Sequence, residues 1–123
     1  MNGIKATQLD EFCAGRGRRY VRFDYQGHGD SATPFEDCTI GLWRDDALAV
    51  LDQVTEGRQI LVGSSMGAWI ALLVALARPD RVAGLVLIAG AVDFTEALLW
   101  PRLGEERQRV LMAEGRVAHP LGL

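Results

Sequence analysis

Residues 63–67, Gly-Ser-Ser-Met-Gly, set Ser65 at the centre of a G-x-S-x-G pattern. A serine hydroxyl so placed suits one chemistry in particular, attack on a carbonyl carbon through a covalent acyl intermediate. The pattern carries weight only between a strand and a helix. Here the apolar residues Ile60–Val62 precede it and the apolar run 68–77 follows it. A sharp turn at that junction lifts Ser65 clear of the carboxyl edge of a sheet. Side chains two residues before and two after it would collide across the turn, so Gly63 and Gly67 are both expected to be small by necessity. Ser65 then lies at a helix N-terminus, whose unpaired N–H groups favour negative charge. The N–H of Met66 is the expected donor to an oxyanion. A plain glycine–serine turn entering a helix is the non-catalytic alternative. A phosphate loop would need Gly-Lys-Ser/Thr, and a dinucleotide fingerprint G-x-G-x-x-G; the turn carries neither.

A nucleophilic serine needs a base and an acid that orients the base. His28, in a glycine-rich segment, is the candidate base, with a turn element as its alternative role. Asp93 is the candidate acid, with a helix cap as the alternative. His119, the other of the two histidines, has no defined partner. Asp24 and Asp30 are expected to order the glycine turn through side-chain-to-backbone bonds.

These residues require elements to hold them. Residues 5–15 read as a helix with Leu9, Phe12 and Cys13 on one face, and 18–25 as a strand. Residues 26–38, rich in Gly, Asp, Ser and Pro, read as a loop. Thr39 looks like the cap of a helix that places Ile40, Trp43, Ala47, Val50, Leu51 and Val54 on one face, so Trp43 is expected to pack inward. The apolar runs at 58–64 and 82–90 carry no alternation, as in strands buried on both faces. Residues 66–78 form a helix apolar nearly all round, stopped by Pro79. Pro101 separates two further helices, 95–100 and 103–114. Trp69 faces inward or lies beside the site, and Trp100, just before Pro101, has contact with an acyl group as the alternative to a plain packing role.

Strands alternating with helices mean an α/β fold, three-layer αβα, with a short parallel sheet of about three strands and right-handed crossovers. The 123 residues suit one domain. The net charge of −3 and the absence of any long basic run argue against a nucleic-acid partner. The basic spot at 15–19 reads as a solvated helix end. Two cysteines without ligand spacing read as free thiols, and two histidines make zinc improbable; no metal or organic cofactor is implied. No segment is long enough for a membrane span, and no secretory h-region opens the chain, so a cytoplasmic protein is expected.

The stretches 1–6, 22–31, 39–46, 60–69 and 77–93, met in that order, make the sequence resemble the α/β-hydrolase superfamily. They look most like its branch of acyl-protein thioesterases and acyl-glucuronide esterases, typified by α/β-hydrolase domain protein ten. The resemblance covers about residues 1–95. It implies a serine hydrolase acting on a carboxylic ester or acyl thioester, with Ser65 as nucleophile. It also implies a partial domain, with the hydrolase core at 1–93 and the start of a lid at 94–123. The family's second oxyanion donor, its acid and its histidine have no counterpart at matching positions. A catalytically inactive fragment, a degenerate homologue and a non-enzymatic binding module are the alternatives. A sheet this short would leave edges open to self-association.

Overall fold

The structure, a computed structural model, describes residues 3–29, 32–34 and 37–115. The elements are α1 (Ile4–Gly15), α2 (Ile40–Val54), β1 (Gln59–Ser64), α3 (Met66–Ala77), a 3-10 turn (Pro79–Arg81), β2 (Val82–Ile88), a π-helical turn (Thr95–Leu99), α4 (Trp100–Arg102) and α5 (Gly104–Glu114). β1 and β2 pair in a short parallel sheet, with α3 as their crossover. The α/β class is therefore as expected. The strand count is not: the sheet has two strands among the described residues, and 18–25 forms none. β-Propensity marks a segment that suits a sheet, but a strand exists only once a neighbour takes up its backbone hydrogen bonds.

The chain divides into two compact units, one of Met1–Gln59 with Leu73–Ala83, the other of Ile60–Leu72 with Gly84–Leu123. In the first, the Thr39 hydroxyl accepts from the Leu42 N–H at 3.1 Å and starts α2 as expected. Trp43 and Leu51 on the apolar face of that helix are buried. α1 buries none of its residues, and Phe12 is exposed with the Arg16 guanidinium over its ring. The far end of α2 is closed by a residue from the turn after α3. Arg81 Nε donates to Gly57 O at 2.7 Å, and its Nη2 lies 3.0–3.1 Å from Leu51 O, Thr55 O and Thr55 Oγ1. A fixed cationic fork thus gathers carbonyls at and just beyond a helix C-terminus, Leu51 O also accepting from the Thr55 hydroxyl at 2.6 Å.

In the second unit, Ala68, Ile70 and Ala71 of α3 are fully or nearly fully buried. The strands depart from expectation. Ile60 and Val62 of β1 are exposed, as are Leu85, Val86, Leu87 and Ile88 on both faces of β2. An apolar run shows which cover suits a strand; burial on two faces also needs elements to supply that cover. After β2 the two expected helices become three pieces. Pro101 has no N–H for the carbonyl of Ala97, and its ring crowds that carbonyl, so the turn before it widens to the π-helical form. Among the described residues no helix is long and apolar enough to cross a membrane.

Candidate active site

Ser65 stands between the last residue of β1 and the first of α3, exposed and with φ at +55°. A left-handed conformation in a residue with a Cβ costs on the order of 1–2 kcal/mol, so the surroundings must hold it. They do so through its backbone. Its N–H donates to Ile88 O at 2.9 Å, and its own carbonyl accepts from Ala68 N–H at 3.1 Å and Ala91 N–H at 3.3 Å. Met66 opens α3, so its N–H is one of those a helix leaves without an intrahelical acceptor.

The two flanking glycines are not equivalent. A Cβ on Gly63 would overlap the carbonyl of Gly67 and come within 2.6 Å of Ala68 N. A Cβ on Gly67 would meet nothing within 4 Å. The expectation that both must be small is thereby corrected: the crossing is between the Gly67 backbone and the Gly63 α-carbon, so only the latter must lack a side chain.

Asp93 lies in the same unit as Ser65. It is exposed, with φ at +53°, and its carbonyl accepts from Ala97 N–H at 3.0 Å. It therefore caps the following turn with its backbone, while its carboxylate makes no hydrogen bond among the described residues. Trp69 packs edge-on against Phe94 at 6.1 Å between ring centroids, and Trp100 offers its carbonyl to Gln108 Nε2 at 2.7 Å.

His28 belongs to the other unit. Its Nδ1 is 3.2 Å from Gln26 O, and its ring stands edge-on to Trp43 and Tyr25 at 5.1 and 6.1 Å. Gln26 organises that corner. Its N–H and Nε2 donate to the Asp46 carboxylate at 2.8 and 2.7 Å, and its carbonyl accepts from Trp43 Nε1 at 2.8 Å and Cys38 Sγ at 3.3 Å. The Asp24 carboxylate occupies the space a Gly29 side chain would need, and Gly29 has φ at +53°. Burial pushes the Tyr25 phenol above its ordinary pKa, and the Asp46 carboxylate adds to the effect. Asp30 and His119 lie outside the described residues. Reading the sequence missed Gln26, because nothing in a loop glutamine announces that Asp46, Trp43, Cys38, His28 and Thr33 will converge on it. It also missed Ala89, which has φ at +47° although alanine gives no sign of such a conformation.

The description "Alpha/beta hydrolase family" belongs to the family model that matches residues 4–122. The chain belongs to this family. The palmitoyl-protein thioesterase ABHD10, mitochondrial, of Mus musculus is 53% identical over 93 residues, which are 76% of this chain and 31% of that protein. The Bos taurus protein of the same name is 52% identical over 93 residues, 76% of this chain and 30% of its own. The solved structure of alpha/beta hydrolase domain-containing protein 10 from mouse superposes with a TM-score of 0.85 at 45% identity, covering 98% of this chain and 48% of that one. The resemblance to the acyl-protein thioesterase branch is borne out, and the partial domain fits. The chain spans about a third of the length of the curated relatives it matches. The cytoplasmic expectation is overturned, since these relatives are named mitochondrial. Compartment is an address carried by targeting segments, and the packing residues of a folded body do not record it.

Proposed function

We propose that Ser65 is the nucleophile of a serine hydrolase that cleaves acyl esters or thioesters. The observation that carries this reading is its left-handed, exposed position at the strand-to-helix turn, with the Gly67 backbone crossing Gly63. Oγ attacks the acyl carbonyl, and its proton passes to a base. The oxyanion lies against the Met66 N–H at the α3 N-terminus, where the helix favours developing negative charge. Collapse expels a protonated thiol or alcohol. Water then attacks the acyl-serine, releasing a carboxylic acid and restoring Ser65. The relatives named palmitoyl-protein thioesterase support a long-chain acyl thioester as substrate and a mitochondrial setting. Asp93 is the candidate acid within the unit of Ser65. The contacts of His28 favour an anchor for the 26–29 turn over a base.

One observation favours a second reading, a chain that keeps the turn without the chemistry. Among the described residues no acid–base group hydrogen-bonds the Ser65 hydroxyl, and an unassisted serine is a weak nucleophile. A fluorophosphonate probe separates the two. Labelling that disappears in Ser65→Ala supports the nucleophile; labelling that survives the substitution refutes it. No labelling of a folded chain refutes the claim that this chain alone is an enzyme.

A further inference from the structure

The hydrogen bonds around Ser65 contain an irregularity. In a regular parallel ladder, a residue donates to one position of the neighbouring strand and accepts from the position two further on. Ser65 donates to Ile88 O at 2.9 Å but accepts from Ala91 N–H at 3.3 Å, three positions on. One extra residue has been inserted after the end of β2. Ala89 has φ at +47°, between the acceptor and the donor that bracket Ser65, and is exposed. The irregularity lies just beyond the ends of β1 and β2 and is like a bulge, a device that re-aims backbone next to functional sites. Regular pairing suits an extended residue. Ser65 is left-handed at +55°, and its N–H is bonded to the last residue of β2 while its carbonyl is bonded to Ala91 just beyond.

We propose that the Ala89 bulge is a positioning element that holds Ser65 in its left-handed conformation, so that Ala89 acts on the nucleophile through the Ile88 carbonyl and the Ala91 N–H. The inference rests on Ser65 being the nucleophile, as proposed above. The effect of the bulge depends on a residue that tolerates positive φ at position 89, whatever that residue's size or polarity.

Substitution at this exposed position tests that dependence. Glycine adopts positive φ freely and asparagine visits it readily, while β-branched valine resists it. Amide hydrogen exchange read by NMR on the 123-residue chain reports the bracket directly. In Ala89→Val the protection of the Ser65 and Ala91 amides is expected to fall about tenfold or more, on the scale of left-handed strain in a β-branched residue. In Ala89→Gly and Ala89→Asn it is retained, and the α2 amides of the other unit keep their protection in all three. The proposal is overturned if Ala89→Val leaves Ser65 protected, if asparagine and valine lose protection alike, or if the Ser65 amide of the parent chain is unprotected. Fluorophosphonate labelling of the same variants judges the nucleophile separately. If no variant labels while the exchange order holds, the bulge stands and the claim that this chain alone is an enzyme falls.

Discussion

Gly63→Ala and Gly67→Ala make a paired test of the turn. The pattern Gly-Ser-Ser-Met-Gly treats the two glycines alike; the structure gives them opposite outcomes. At position 63 an added methyl overlaps the Gly67 carbonyl and lies 2.6 Å from Ala68 N. The obstacle is the backbone of the first turn of α3, which cannot rotate away as a flexible side chain would. Overpacking of a tight site costs about 1–3 kcal/mol, and a backbone obstacle puts this case at the upper end, about 3 kcal/mol. That is on the order of a hundredfold in the ratio of folded to unfolded chain. At position 67 the methyl meets nothing within 4 Å, and the residue is helical. Alanine there is neutral or stabilising, by up to about 1 kcal/mol from helix propensity. Urea titration followed by tryptophan fluorescence measures both, with Trp69 in the same helical turn as reporter. A Gly63→Ala chain within about 0.5 kcal/mol of the parent, or a Gly67→Ala chain losing more than about 1 kcal/mol, would refute the steric argument.

Two further outcomes follow from the first unit. Arg81→Lys is expected to lower the urea midpoint, with a loss of about 1–2 kcal/mol, because a compact ammonium cannot span the Gly57, Leu51 and Thr55 acceptors that the guanidinium fork reaches together; full retention of stability by lysine would show that only the charge matters. Tyr25 has its pKa raised in the fold by burial and by Asp46. Its contribution to stability is whole below the unfolded phenol value of about 10 and is lost as the pH climbs through the higher folded value. Urea midpoints taken from about pH 8 to about pH 11 are therefore expected to decline less in Tyr25→Phe than in the parent. Tyr20, also raised chiefly by burial, leaves some decline in place.

Much of the frame was legible in the residues because it rests on local causes. The Thr39 cap, the buried Trp43, the boundaries of α2 and α3, and the strand–turn–helix around Ser65 follow from side chains within a turn or two of each other. The stretches that resemble the hydrolase family were legible for a similar reason, since they are short and contiguous. Other features depended on distant backbone. The segment 18–25 has strand-forming residues, yet among the described residues it does not pair into the sheet of β1 and β2. β2 has the composition of a buried strand and exposes both faces. Pattern alone could not separate Gly63 from Gly67, because the difference lies in which α-carbon the Gly67 carbonyl crosses. Ala89 is the sharpest case. An alanine carries no mark of a left-handed conformation, yet Ala89 has φ at +47° between the two residues that bond the Ser65 backbone. The sequence by itself determined which serine is exposed at a turn and what kind of element flanks it. The tertiary structure decided what holds that serine in place, because besides the local bond from Ala68 its backbone is bonded to Ile88 and Ala91, more than twenty positions away.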